Sequence, residues 1–171
     1  MKPLKILLLL LFPILSYSQE ITSNVVDPFT NERTIQTDIV PIKQGLSNGF
    51  GVSFTAINNS YYLNILGYGG DNKAIKEDDK LWFVLEDGNV VQFNSRVDMD
   101  ANESDVKNIY IHHYFARLGD LENLKNKKLA VFRVKTGDGV TDIKISKKTI
   151  KNFSKLIEVF YKEINKQPMY N

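Results

Sequence analysis

His112 and His113 are the only histidines of the chain, and acid–base chemistry near neutral pH most often uses such side chains. Their adjacency limits them. In a strand, neighbouring side chains point to opposite faces, so this pair cannot readily grip one metal ion. One of them can still act with a distant carboxylate as acid, base or ligand, and Asp98, Asp100 and Asp120 are the carboxylates a hydrolase-type site would recruit. The plainer expectation is one exposed histidine and one that is packed or hydrogen-bonded.

The run Asp98-Met99-Asp100-Ala101-Asn102-Glu103-Ser104-Asp105 offers a second chemistry. Asp98, Asp100 and Asn102 occupy the first, third and fifth places of an EF-hand calcium loop. Glu103 then stands where the turn needs glycine, and Ile109 stands where a bidentate glutamate should close the site. An irregular, oxygen-rich Ca²⁺ site through Asp98, Asp100 and Asn102 is the candidate metal site; a solvated acidic loop is its bland counterpart. No other cofactor is expected.

The remaining patterns are weaker. There is no Gly-x-Ser-x-Gly. Gly67-Tyr68-Gly69-Gly70 lacks the Lys-Ser/Thr and helix start of a phosphate loop. Glu77 with Asp78 or Asp79 could form a carboxylate pair, but adjacency says nothing of the separation that glycoside chemistry requires. Tyr61, Tyr62, Tyr68, Trp82, Tyr110 and Tyr114 fall on or beside predicted strands, where aromatics fill a core or form a binding face.

The elements that must position these residues are mainly hairpins. Phe50 to Ala56 alternate with period two, Asn58-Asn59-Ser60 turns the chain, and Tyr61 to Leu66 returns. Leu81 to Leu85 leads through Asp87-Gly88 to Val90–Phe93, and its unbroken apolar run suggests a strand covered on both faces. Leu129 to Val134 and Val140 to Ile145 form a third hairpin. Thr34 to Val40 reads as a strand stopped by Pro41, residues 21–31 as an irregular lead-in, and residues 109–115 as a strand. Leu118, Leu121 and Leu124 mark a short helix over 120–125.

The chain closes on an amphipathic helix with Ile150, Phe153, Leu156, Ile157, Phe160, Tyr161 and Ile164 on one face. Ser146 can cap it, and Pro168 lies beyond it. The expected fold is α+β: an antiparallel, hairpin-built sheet of seven to eight strands with this helix packed on it. A β-sandwich or barrel with an appended helix is the alternative.

Residues 1–18 carry a different kind of information. Lys2 and Lys5 precede an apolar run from Leu4 to Leu15, and Ser16-Tyr17-Ser18 places small residues before a cut at Gln19. That is the layout of a secretory signal peptide. It predicts a mature chain of residues 19–171 forming one globular domain, with no membrane span after cleavage. Of the 22 basic residues, Lys2 and Lys5 leave with the signal; the other 20 balance 20 acidic ones. A neutral mature chain argues against nucleic acid as the main partner. The absence of cysteine excludes thiol nucleophiles, thiolate metal sites and a lipid-modified N-terminal Cys. Sequons occur at Asn58, Asn102 and Asn152.

Three segments together resemble small exported proteins of Bacteroidota: the leader ending Ser16-Tyr17-Ser18-Gln19, the stretch Asp27-Pro28-Phe29-Thr30 followed by Thr34-Ile35-Gln36-Thr37, and the strand-turn from Leu81 to Gly88. The resemblance implies a bacterial cell-envelope or extracellular setting and carries over no catalytic residue. The sequence thus predicts an exported module, periplasmic or secreted, that binds a protein or small molecule without catalysis. A hydrolase using a histidine with loop carboxylates is the alternative.

Overall fold

The computed structural model of the chain describes residues 20–44, 49–68, 80–95, 109–136 and 139–166. Ten strands form one antiparallel sheet, and two helices pack against it. The strands are β1 (Ile21–Val26), β2 (Arg33–Thr37), β3 (Val40–Lys43), β4 (Gly49–Ile57) and β5 (Ser60–Tyr68), then β6 (Lys80–Leu85), β7 (Val90–Ser95) and β8 (Ile109–Ala116). After helix α1 (Leu118–Asn126) come β9 (Leu129–Thr136), β10 (Gly139–Lys144) and helix α2 (Lys147–Ile164). Across the sheet the order is β1-β2-β4-β5-β8-β7-β6-β9-β10, with β3 beside β2 on the same flank of β4.

Local chemistry explains the turns. Asn58 occupies the left-handed region at φ 52° between β4 and β5, which asparagine tolerates better than branched residues. Its side-chain oxygen accepts from the Arg33 backbone N–H at 2.9 Å, tying the turn to β2. Gly88 supplies φ 81° between β6 and β7, as a tight Asp-Gly turn requires. Ser146 caps α2 by accepting from the Thr149 N–H at 3.1 Å.

The sheet's inner face carries the core. Phe54, Leu63, Leu81, Phe83, Phe93, Tyr114 and Phe132 are fully buried there, and Phe153, Leu156, Ile157 and Phe160 of α2 pack among them. The sheet is strongly curled. Phe50 and Phe132 lie five strand steps apart, about 24 Å in a flat sheet, yet their ring centroids are 5.2 Å apart. Phe153 fills the hollow, touching Phe54 at 5.9 Å and Phe83 at 5.4 Å. Even so the sheet does not close: each of β1 and β10 has a single strand neighbour.

The α+β class, the three hairpins and the C-terminal helix on the sheet stand as expected, while the strand number rises to ten. Residues 21–26 are not irregular but form an edge strand. Edge position also explains why Pro41 does not stop the chain: β3 pairs with β4 alone, and its register slips between Pro41 and Lys43. Gly67 and Tyr68 continue β5 beyond Leu66, where the expected strand ends. Finally, Leu81–Leu85 is not covered on both faces. Leu81, Phe83 and Leu85 are buried, whereas Trp82 and Val84 are only half-buried on the outer face.

Candidate binding surface

Both helices lie on the inner side, so the outer face of the sheet is where side chains can meet a partner. Register decides which ones. Ser53 of β4 stands opposite Asn64 of β5, which stands opposite His113 of β8. The Asn64 amide nitrogen donates to Thr55 Oγ1 at 2.8 Å and to Ser53 Oγ at 3.3 Å. Its carbonyl oxygen faces His113 Nδ1, at 2.7 Å, and accepts from that nitrogen when it carries the proton. His112 sits on the inner side of the same strand, opposite Ile65. The expected split of the two histidines across the sheet is realised, and both are half-buried.

The two hydroxyls bond the amide of Asn64, and His113 Nδ1 is oriented by a neutral amide. A carboxylate there would stabilise an imidazolium far better. Asp120, the third carboxylate considered for such a site, opens α1. Its two oxygens accept from the Arg117 guanidinium at 2.8 and 3.1 Å and from the Arg117 backbone N–H at 3.2 Å. Asp98, Asp100 and Asn102, the calcium candidates, lie outside the described residues, as do Glu77, Asp78 and Asp79. Among the described residues no three His, Asp or Glu side chains gather as metal ligands.

Among the described residues, two depressions lie against the sheet. One, of about 260 Å³, is lined by Ile39, Pro41, Phe50, Gly51, Leu66 and Gly67, with Lys43 and Gln44 completing it. Gly51 is needed there: a Cβ would fall 2.4 Å from Ile39 Cγ2 and 3.1 Å from the Val40 carbonyl oxygen. The other, of about 190 Å³, lies on the outer face of the β7-β6-β9-β10 half, lined by Trp82, Val84, Val90, Arg133 and Val140.

The second depression carries exposed aliphatic side chains. Val90 and Val140 are 56% and 57% exposed. Trp82 donates its indole N–H to Gln92 Oε1 at 3.0 Å, and Gln92 in turn donates to Asn94 at 3.1 Å. Arg133, opposite Trp82, forks onto both oxygens of Asp142 at 2.5 and 2.7 Å. That fork holds the Asp142 carboxyl below the usual carboxylate range and raises the guanidinium. The polar groups around Trp82 are thus satisfied and mutually neutralised, leaving an aromatic and aliphatic surface ringed by donors and acceptors.

Of the aromatics considered for a binding face, Tyr114 is fully buried, Tyr62 is buried against the Phe115 ring at 5.4 Å, and Tyr61 is partly packed on the core. The side chains of Tyr68 and Tyr110 lie outside the described ones. Trp82 is the aromatic placed in a depression. Sequence reading did not single out Val84, Val90, Val140 or the Arg133–Asp142 pair, because their meeting depends on the β6–β9–β10 register.

Comparison of the chain with protein-family models, with curated proteins and with solved structures finds no match.

Proposed function

We propose that this chain is an exported, non-catalytic binding module, periplasmic or secreted, that takes a protein or small ligand on the outer face of its sheet. The observation that carries this reading is the half-exposed Trp82 in its depression among Val84, Val90 and Val140. A strand needs only one apolar face to hold the core. Trp82 keeps part of its ring accessible on the other face beside the exposed Val90 and Val140, and apolar patches with a polar surround mark such sites. The Asp120 carboxylate, taken up by Arg117, supports binding over the hydrolase alternative.

Trp82 is the only tryptophan of the chain, so it reports its own occupancy. Panels of soluble saccharides, peptides and envelope extracts are titrated while indole emission is followed. At least one is expected to give a saturable shift, and calorimetric titration of that ligand is expected to lose its binding heat in Trp82→Ala while the far-ultraviolet ellipticity of the variant is unchanged. A turnover that disappears in His113→Gln while Trp82→Ala retains it would sink the reading. No helix among the described residues is long and apolar enough to cross a membrane.

A further inference from the structure

Phe29 is 95% exposed, the most exposed large apolar side chain among the described residues, and it stands on an ordered turn. Asp27 Oδ1 accepts from the backbone N–H groups of Phe29 at 2.7 Å and Thr30 at 3.1 Å. The Asn31 N–H reaches the Asp27 carbonyl at 2.8 Å, and the Asp27 N–H reaches the Glu32 carbonyl at 2.9 Å. Asn31 completes the reversal in the left-handed region at φ 56°. Five backbone positions are thus fixed to display one phenyl ring in water. A ring held this way loses little further freedom on binding, which is what makes an aromatic anchor effective.

The same molecule carries a socket of matching kind. The depression beside Gly51, about 260 Å³ in volume, is walled by Ile39, Pro41, Phe50 and Leu66. An apolar cavity of about 150 Å³ already accepts benzene, so a phenyl ring fits. Charge matches as well. The turn over 27–32 carries Asp27 and Glu32 and no basic residue, while the socket is bordered by Lys43. Asp27 stays ionised because two backbone N–H groups hold its carboxyl below the usual range. Arg33, the nearest cation to the turn in sequence, is turned away onto Asn24 and the end of α2.

The two features cannot meet within one chain. The turn joins β2 at the end where Thr34 pairs with Ile57, whereas the socket lies at Phe50 and Gly51. The six steps from Gly51 to Ile57 span about 20 Å of strand. We propose that the Phe29 turn of one copy inserts into the Ile39–Gly51 socket of a second copy, with Glu32 beside Lys43. Reciprocated about a two-fold axis such a contact closes as a dimer, and unreciprocated it propagates head-to-tail along a series of copies. One phenyl ring buries far less than the roughly 800 Å² per partner of a stable complex. The contact is therefore weak, with association expected at protein concentrations on the order of 100 µM.

Sedimentation velocity of the mature chain over rising concentration tests this. The wild type is expected to self-associate, to dimer if the contact is reciprocated and past dimer if it is not, while Phe29→Ser and Ile39→Asp, both at exposed positions, are each expected to remain monomeric with unchanged melting. Mixed one to one, those two variants retain one intact finger and one intact socket, and are expected to form a heterodimer and stop there. Glu32→Lys and Lys43→Glu should each weaken association tenfold or more, and the double exchange should restore it. A wild type that stays monomeric near 1 mM, a mixture that fails to pair, or self-association untouched by Phe29→Ser would each overturn the proposal. The charge exchange keeps the test decisive if Ile39→Asp disturbs folding.

Discussion

Asp87 shows how much a single turn residue does. Lys127 Nζ reaches its Oδ2 at 2.8 Å, and the Asn89 N–H donates to its Oδ1 at 3.0 Å. The lysine first, and then the backbone donor, hold the carboxyl at about 2. Its folded value lies below the unfolded one of about 3.9. The stability it contributes is therefore complete above that unfolded value and is lost as pH falls toward 2. Melting followed from pH 5 to about 2 should show a shallower acid slope in Asp87→Asn than in the wild type. Because the group is exposed, added salt should narrow the difference. Superimposable slopes would remove Asp87 as an acid-sensitive contact. His113 differs in its contact: its Nδ1 lies 2.7 Å from the neutral amide oxygen of Asn64, a hydrogen bond that helps to orient the ring.

At the scale of elements, what was legible in the sequence is what local chemistry dictates. Asp87-Gly88 and Asn58-Asn59 announce their turns, and the stripe through Phe153, Leu156, Ile157 and Phe160 announces α2. Elements that bury little were not legible. Strand β1 is exposed along its last three residues, so it shows no core period, and Pro41 hides β3 at an edge. The outward turn of Trp82 was equally hidden. A run of five apolar residues reads the same whether one face or both are covered, and only the strand pairings decide. The Ser53–Asn64–His113 row needed three strands in register, with Asn64 and His113 49 residues apart.

Contacts between distant elements carry consequences that no local pattern shows. Arg33 on β2 donates to Asn24 Oδ1 of β1 at 3.0 Å and to the Lys166 carbonyl at 3.1 Å, and approaches Glu163 Oε1 at 3.5 Å. Asn24 also donates to Glu163 at 2.8 Å. With the two charged side chains only 19% and 13% exposed, this cluster fastens the β1–β2 edge to the end of α2. Arg33→Met should cost about 1–3 kcal/mol in urea unfolding, discounted toward the lower end because Lys166 still reaches Glu163. Arg33→Lys should recover little of that loss, since an ammonium cannot span three acceptors in different directions. Full stability of the lysine variant would show that the fork does not fasten the edge.

For the whole molecule, the aromatic interior decides how cooperatively the curled sheet and its helix come apart. Phe50 meets Phe132 across the curl, Phe83 meets Phe93 and Phe132, and Phe153 of α2 joins Phe54 of one half to Phe83 of the other. Neither half buries its aromatic surface without the other, and the helix buries its stripe only where both are present. Unfolding is therefore expected to be a single transition. Trp82 on β6 and the helical signal of α2 are independent reporters of it: indole emission and far-ultraviolet ellipticity should give coincident urea midpoints. Phe153→Ala leaves a hole where helix and both sheet halves meet, and should cost about 3–5 kcal/mol while moving both midpoints together. If the helical signal fell at lower urea than the tryptophan signal, the helix would be a detachable cover, and the curl would be held by the sheet alone.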